Sequence, residues 1–303
     1  MKTLLKTSSP ITSLSASAEL GLLLLGDTSG AVILIDLSSG SERQRLLLPD
    51  PVLAVALAPP LRALLAAGGK AVTESSTVAV WDVDSGTLRA EMKYKHLVTS
   101  LAFAPALRVA ITGDGSFDQK NTTGRVVLWN PDTLEQHQRL QCSGAVTCVR
   151  LTPDGLILSA DRSRCICKWH PESGEKLQEI QVDHGLPWCL AVNEACSFFV
   201  YTACNFKDNF GCLCLRGEEL EQYEECGHPV LSAVFLPEAP VIACGLRNGD
   251  IILWDFEVKA RRKLVKMPSA VNALSVNLVR GELIAGDKSG QLGTWPLAFL
   301  LSD

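Results

Sequence analysis

The 303-residue sequence lacks the motifs that many enzymes of nucleotide, peptide and ester chemistry carry. It contains no Gly-Lys-Ser/Thr phosphate loop, no His-Glu-x-x-His pair and no Gly-x-Ser-x-Gly elbow. Histidine is scarce, and the five residues are scattered along the chain: His96, His137, His170, His184 and His228. We therefore predict a protein that is not an enzyme. An active site of another kind would need converging titratable groups, and His184 with Asp208 is the pair that we can name.

Long apolar runs are missing as well. The run Leu22–Leu25 is far shorter than the roughly 20 residues that a membrane helix requires. Lys2 and Lys6 are not followed by the apolar stretch of a signal peptide. The net charge of −5 argues against a surface built for nucleic-acid phosphates. We expect an intracellular protein, cytoplasmic, nuclear or both, that binds neither membrane nor nucleic acid.

One short ending recurs along the chain. Apolar runs finish in a tryptophan, or an aliphatic equivalent, at Ile35, Trp81, Trp129, Trp169, Leu215, Trp254 and Trp295. These positions follow one another at intervals of 46, 48, 40, 46, 39 and 41 residues. A period of about 40–45 residues with a strand that ends in Trp-Asp is typical of a four-stranded propeller blade. We therefore predict seven repeats and assign the five tryptophans a structural role.

Two further markers keep the same period. Four apolar segments run from a valine to a proline seven residues later, at Val52/Pro59, Val98/Pro105, Val146/Pro153 and Val230/Pro237. They predict buried strands that stop at the proline. A glycine lies five residues before the tryptophan position at Gly30, Gly124, Gly249 and Gly290. Over nearly its whole length the chain resembles the WD-repeat β-propellers, whose Gly-His dipeptide is present at Gly227-His228.

The resemblance implies an all-β fold, a single seven-bladed propeller of four-stranded antiparallel blades over residues 1–303. The blades are expected at 10–48, 51–92, 97–140, 145–181, 186–224, 229–266 and 270–296. Strand 2–6 is expected to complete the last blade, because closing the ring removes two exposed sheet edges. The apolar segment Leu297–Leu301 is expected to cover this closure, or alternatively to bind a partner. The resemblance also implies a hydrogen-bond network in blade three, made by His96, Thr112, Asp114 and Trp129.

All eleven cysteines lie between Cys142 and Cys244, and without an export signal we expect them to be reduced. Cys165-x-Cys167 and Cys212-x-Cys214 lack the spacing of zinc ligand pairs. Both pairs fall in predicted strands, where alternate residues share one face. We predict small buried residues at blade interfaces and neither a metal nor a cofactor; metal or redox chemistry is the alternative. As a hypothesis, the two pairs meet between blades four and five.

In a propeller with strands a to d per blade, the b–c turns and the d–a connections share one face. Three b–c turns are predicted to be long: Gly68–Ser76, Gly113–Thr123 and Cys204–Phe210. Long loops on one face favour a recognition surface, and tolerated insertions are the alternative. The candidate contacts on this face are Phe117, Lys120, Asn121, Phe206, Asp208, Phe210, His96, His184, Trp188 and His228.

Two charge runs fall on the outer strands of neighbouring blades. Glu218, Glu219, Glu221, Glu224 and Glu225 lie in blade five, and Lys259, Arg261, Arg262, Lys263 and Lys266 lie in blade six. Solvated, charge-protected edges are one interpretation. A second docking patch is the other, with Glu218, Glu219, Glu221, Arg261, Arg262 and Lys263 as its weaker candidates.

The expected function is a non-catalytic scaffold that docks a partner protein or peptide on the face of the b–c turns within a multiprotein complex. A monomeric subunit of a hetero-complex is expected. The first alternative is a structural subunit of a large assembly, held through the rim of blades five and six and the C-terminal segment. The second is a hydrolase-type enzyme with its site over the central channel.

Overall fold

A computed structural model describes residues 1–70, 75–116, 123–193, 198–217 and 221–302. In these residues the strands form seven four-stranded antiparallel sheets, and only one short helix and one 3₁₀ turn accompany them. The predicted all-β, seven-bladed propeller is confirmed. Phe117, Lys120, Asn121, Glu218 and Glu219 lie outside the described residues.

The strands are numbered in chain order. The first is β1 (Lys2–Lys6). Blades one to three contain β2 (Ile11–Ser17), β3 (Leu22–Asp27), β4 (Ala31–Asp36), β5 (Glu42–Leu47), β6 (Val52–Ala58), β7 (Ala63–Lys70), β8 (Ser75–Asp82), β9 (Leu88–Tyr94), β10 (Leu97–Ala104), β11 (Val109–Gly115), β12 (Gly124–Trp129) and β13 (Gln136–Cys142). Blades four to six contain β14 (Val146–Leu151), β15 (Ile157–Asp161), β16 (Cys165–Trp169), β17 (Lys176–Gln181), β18 (Leu186–Val192), β19 (Phe199–Asn205), β20 (Phe210–Arg216), β21 (Glu221–Glu225), β22 (Val230–Phe235), β23 (Val241–Leu246), β24 (Asp250–Asp255) and β25 (Ala260–Lys266). Blade seven contains β26 (Val271–Asn277), β27 (Glu282–Asp287), β28 (Gln291–Pro296) and β1, and the helix α1 (Leu297–Leu301) follows it.

Burial changes from the centre of each blade to its edge. The a strands contact one another around the centre of the ring, as β14 contacts β10 and β18. The b and c strands are almost wholly buried, as in β3, because each of their faces packs on a neighbouring blade. The d strands alternate exposed and half-buried residues, as in β5, and their charged side chains protect the outer edges.

The N-terminal strand closes the ring. β1 pairs antiparallel with β28, from Lys2 opposite Thr294 to Lys6 opposite Gln291. Leu4 and Leu5 pack on the apolar cluster between blades seven and one. The predicted completion of the last blade by the N-terminal strand is confirmed.

The C-terminal segment is helical and packs on the ring. Leu297 and Leu300 of α1 are buried in the cluster between blades six and seven, with Val241 and Leu283. The Lys263 ammonium accompanies this helix: it donates to the carbonyl oxygen of Phe299 at 2.6 Å and lies 4.3 Å from that ring's centroid. The segment therefore packs on the ring, but it covers the interface of blades six and seven and not the closure between blades seven and one, where it was expected.

The five strand-ending tryptophans are at most 6% exposed: Trp81, Trp129, Trp169, Trp254 and Trp295. The indole N–H of Trp169 donates to the hydroxyl of Ser159 at 2.8 Å. In the described residues, the indole N–H groups of Trp129 and Trp254 have no hydrogen-bond partner. The tryptophans therefore act mainly as large apolar side chains between blades.

The hydrogen-bond network expected for blade three is wrong. The Tyr94 hydroxyl lies 3.0 Å from the Thr112 hydroxyl and takes the place expected for His96. The Asp114 carboxylate accepts two bonds from the Arg125 guanidinium, at 2.7 and 3.1 Å. Tyr94 is buried, and its hydroxyl finds its partner in Thr112, whereas His96 is half-buried and its Nδ1 has no hydrogen-bond partner in the described residues.

Blade five differs from its prediction in register. Phe199 pairs with Arg216, as Ile157 pairs with Trp169 in blade four, so Arg216 and not Leu215 holds the tryptophan position. Leu215 faces blade six, on the opposite side of the strand. A shift of one residue reverses the face of every side chain in a strand.

The b–c turn of blade five is also shorter than predicted. β19 continues to Asn205 and β20 begins at Phe210, so the turn contains only residues 206–209. Phe210 is therefore a strand residue, and it packs partly buried on the cluster between blades four and five instead of projecting as a contact. In blade two the strands extend to Lys70 and Ser75, which makes a long hairpin of most of the predicted loop.

Candidate interaction face

The b–c turns and the d–a connections form one end of the propeller, which we call the bc/da face. Backbone hydrogen bonds fix the first residue of the b–c turn in four blades. Its N–H donates to the carbonyl just before the a strand: Thr28 to Pro10, Arg162 to Ala145, Arg247 to Pro229 and Lys288 to Ala270, at 2.9–3.0 Å. The side chains of these four residues therefore leave the face at equivalent places around the ring.

Buried carboxylates hold three of these turns. Asp27, Asp161 and Asp287 are at most 2% exposed and end the b strands of blades one, four and seven. Each carboxylate accepts hydrogen bonds from backbone N–H groups of the following turn. Burial raises the pKa of Asp161, opposed by four backbone N–H donors. These buried carboxylates thus hold the backbone of the turns, and the residues that follow them in the chain occupy the exposed positions.

The a strands carry a β-bulge near the bc/da face. In all seven blades the a–b register shifts by one residue and leaves one residue unpaired: Thr12, Leu53, Thr99, Thr147, Trp188, Leu231 and Asn272. Three of the polar side chains donate to the a strand of the next blade: Thr99 to Val146 O, Thr147 to Pro187 O and Asn272 to Ile11 O, at 2.6–2.8 Å. In blades three, four and seven this position therefore ties one blade to the next, whereas Thr12 of blade one donates to Gly26 O of its own blade at 2.9 Å.

Blades two, five and six place apolar residues at this position: Leu53, Trp188 and Leu231. Trp188 is 37% exposed and Leu231 is half-buried. By position, Trp188 would bond the carbonyl oxygen of Val230 and Leu231 that of Val271, and other side chains contact these two oxygens instead. The Cys204 thiol lies 3.1 Å from Val230 O, and the Ser232 hydroxyl donates to Val271 O at 3.2 Å. The blades therefore stay tied while Trp188 and Leu231 remain available near the channel mouth.

Trp188 is part of an aromatic and cationic cluster. Its ring meets Phe206 edge to face, with centroids 5.0 Å apart and an interplanar angle of 74°. The Arg247 guanidinium carbon lies 5.9 Å from the centroid of Phe206. Both geometries are attractive, since the positive ring edge and the cation each meet a negative π face. The three residues come from the a strand of blade five and the b–c turns of blades five and six.

The turn that presents Phe206 is built by its own polar residues. The Asn205 side-chain oxygen accepts from the N–H groups of Lys207 and Asp208, at 3.1 and 3.3 Å. Its amide nitrogen donates to the Asp208 carboxylate at 2.6 Å. Asn209 takes a left-handed φ of 52° and lies 2.7 Å from Nδ1 of His228. Asp208 and His228 thus support the turn that carries Phe206.

The remaining histidines of the sequence prediction lie apart from this cluster. His184 is exposed and contacts the Tyr223 ring, with centroids 5.1 Å apart. His96 is half-buried in blade three, and in the described residues its Nδ1 has no hydrogen-bond partner. No hydrogen bond joins His184 to Asp208 in the part of the chain that the structure describes, so the geometry does not assemble that catalytic pair.

The charged rim of blades five and six is largely paired within the chain. Arg261 donates to the Glu224 carboxylate at 2.6 Å and to the Glu225 carbonyl, which joins the two outer strands. Arg262 pairs with the buried Asp255 at 2.6 Å. Lys263 of β25 donates to the Phe299 carbonyl of α1, and the Glu221 carboxylate lies 2.9 Å from the Arg216 guanidinium. These charged rim residues therefore make contacts within the chain.

The ten cysteines in the described residues are buried free thiols. Cys165 and Cys167 face blade three, whereas Cys212 and Cys214 face blade four. The hypothesis that the two pairs meet is therefore wrong. Burial raises the pKa of the Cys167 thiol to about 12. No group of three or more metal-binding side chains occurs among the described residues.

A thiol pair not anticipated from the sequence lies between blades four and five. Cys148 and Cys189 occupy equivalent positions on β14 and β18, one residue after the bulge. The hydrogen bond from Cys189 lowers the pKa of Cys148, and the same bond raises the pKa of Cys189. Both are buried, so this pair is an internal contact of the inner ring.

Comparison with known proteins gives one family. The model described as WD domain, G-beta repeat matches residues 131–170. This stretch contains the d strand of blade three and the a, b and c strands of blade four, and it ends one residue after Trp169. No curated protein matches the chain. No helix in the described residues is long and apolar enough to cross a bilayer.

Proposed function

Because the chain belongs to the WD-repeat β-propellers, whose fold generally serves as a protein-interaction scaffold, we propose that it docks a partner protein or peptide on its bc/da face within a multiprotein complex. The observation that carries this proposal is the cluster of Trp188, Phe206 and Arg247. Trp and Arg are among the residue types that most often dominate binding energy at protein interfaces. The Phe206 ring contacts both of them.

The placement of Trp188 supports the same surface. At the equivalent bulge position, blades three, four and seven use Thr or Asn to bond the next blade. An exposed tryptophan adds no such bond and leaves apolar area in water, which alone is unfavourable by roughly 25 cal/mol per Å². A partner that covers the indole recovers this free energy. The charged side chains of the rim are paired within the chain, as Arg261 is with Glu224, although Tyr223 and Leu264 of the outer strands are also exposed.

Affinity purification with mass spectrometry tests the proposal. The variant Trp188→Ala/Phe206→Ala is compared with wild type and with Leu88→Ala/Leu177→Ala, which removes two exposed apolar side chains from outer strands. Melting temperatures establish that all three are folded. Partners that bind wild type and the outer-strand variant but not Trp188→Ala/Phe206→Ala support docking on the bc/da face. Partners that bind all three equally refute it.

A further inference from the structure

The bc/da face of blades four to seven carries a set of basic residues, which we call the basic crescent: Arg162, Arg164, Lys207, Arg247 and Lys288. All five are exposed. Arg162, Arg247 and Lys288 occupy the same turn position in three blades, fixed by the same backbone hydrogen bond. The Phe206-Lys207 turn of blade five lies between them in the ring.

Few carboxylates balance this charge. The b–c turns and d–a connections of these four blades contain Asp183 and Asp208 as their acidic residues. Of the carboxylates at the adjoining strand ends, Asp161 and Asp287 are buried and bonded to backbone N–H groups, and Asp250 pairs with Lys266 at 3.2 Å. Glu225, at the end of β21, is exposed. The crescent is therefore locally positive on a chain whose net charge is −5.

The crescent surrounds the apolar patch near the channel mouth. Trp188 and Leu231 occupy the bulge positions of blades five and six, and Phe206 lies between Trp188 and Arg247. An occupant of this surface needs an apolar side chain for the patch and negative charge for its border. Arginine is well suited to the border, because its planar guanidinium binds a carboxylate through two parallel hydrogen bonds.

We propose that the occupant of the bc/da face is an acidic peptide segment of a partner protein, with an aliphatic or aromatic side chain over Trp188 and Asp or Glu side chains on the basic crescent. This inference rests on the function proposed above and specifies its ligand. A peptide fits better than a nucleic acid, because Asp183 and Asp208 interrupt the crescent and would repel a continuous phosphate backbone. A peptide can place a neutral or basic residue opposite each of them.

Selection of short random peptides on the full chain, with no bias in their composition, tests the inference. We expect the bound peptides to be enriched in Asp and Glu around a Leu, Phe or Trp. Synthetic copies are then measured by fluorescence anisotropy against Arg247→Glu/Lys288→Glu. Reversing two charges at the site should weaken binding about tenfold or more, and added salt should weaken wild-type binding.

The matched control is Arg108→Glu/Lys259→Glu, which makes the same charge change on exposed turns of the opposite face. Its affinity should equal that of wild type. Trp188→Ala should also weaken binding, but without changing the salt dependence, because it removes no charge.

The outcomes separate this inference from the proposed function. Selected peptides that need Trp188 and Phe206 but have no acidic bias overturn the acidic ligand and leave the docking face standing. Peptides that bind all variants equally, or a selection that yields none, count against both. A labelled single-stranded oligonucleotide that binds through Arg247 and Lys288 more tightly than the peptides overturns the inference in favour of a nucleic acid.

Discussion

The carboxylate of Asp287 offers a direct test of how the bc/da face is held in place. It is 0% exposed, and it accepts hydrogen bonds from the N–H groups of Ser289 at 2.9 Å, Gln291 at 2.8 Å and Ser269 at 3.2 Å. Ser289 and Gln291 belong to the b–c turn and β28, and Ser269 lies in the connection from blade six. One side chain thus joins two segments of the face, beside the turn position of Lys288.

Asp287→Ala removes the acceptor of these three N–H groups and of the Ser289 hydroxyl, which also donates to the carboxylate at 2.8 Å. A hydrogen bond to a charged group contributes about 1.5–3 kcal/mol, and a buried donor left unpaired is unfavourable by about 1–3 kcal/mol. Ser289 is exposed and its N–H can bind water, whereas Ser269 and Gln291 are half-buried. We therefore expect the free energy of unfolding to fall by about 3–4 kcal/mol, a large part of the 5–15 kcal/mol that is typical of a domain.

Equilibrium unfolding in urea, followed by the fluorescence of the buried tryptophans, measures this loss. Asp84→Ala is the control, because Asp84 is an exposed acid whose solvated ion pair with Arg62 should contribute little to stability. Asp287→Asn should fall between the two, since its oxygen still accepts from Ser289 and Gln291 while its amide opposes the N–H of Ser269. A loss in Asp287→Ala no larger than in the control would refute the reasoning.

Three further predictions concern the N-terminal strand, the C-terminal helix and the buried Asp161. Deleting residues 1–8 should lower the melting temperature of the entire propeller, because it leaves the outer edge of β28 unpaired and uncovers the cluster between blades seven and one; a retained melting temperature would contradict this. Lys263→Ala should make the α1 helix more sensitive to limited proteolysis, with Lys259→Ala as the unaffected control. The pKa of Asp161 is raised, so the stability of wild type relative to Asp161→Asn should be greatest below about pH 4 and fall as the pH rises through the folded-state value; unfolding curves at several pH values check the sign.

The architecture could be predicted because it repeats. Each blade buries the same strand positions, so Trp81, Trp129, Trp169, Trp254 and Trp295 mark a period that no single segment reveals. The closure by β1 followed from the same count, since the last repeat lacked a d strand and the N-terminus supplied one. Because every blade buries the same strand positions, the apolar pattern recurs in each repeat. A repeat that lacks the tryptophan can therefore be located from the spacing of the others.

The errors arose where a single blade departs from the repeat. In blade five the tryptophan position is Arg216, and the choice of Leu215 turned every neighbouring side chain to the wrong face. With the correct register, Cys212 and Cys214 are the equivalents of Cys165 and Cys167. Equivalent positions in successive blades point the same way around the ring, so each pair faces its own preceding blade and the two cannot meet.

The candidate interaction face was only partly predictable, for a related reason. Trp188 and Phe206 were recognisable as aromatics near turns, but Arg247 follows them by more than forty residues and reaches Phe206 only through the geometry of the ring. A signal was present: the turn position held by Arg247 is basic in blades four, six and seven. Comparing the side chains at one turn position across all blades would have revealed it.

The same comparison explains why the face differs from the rest of the ring. A bulge residue that bonds the next blade, as Thr147 does, serves the fold. In blades five and six that task has passed to Cys204 and Ser232, which bond the carbonyls that the bulge residues leave. Trp188 and Leu231 are thereby released from holding the ring together. Both residues lie beside the basic crescent, on the surface where we propose that a partner docks.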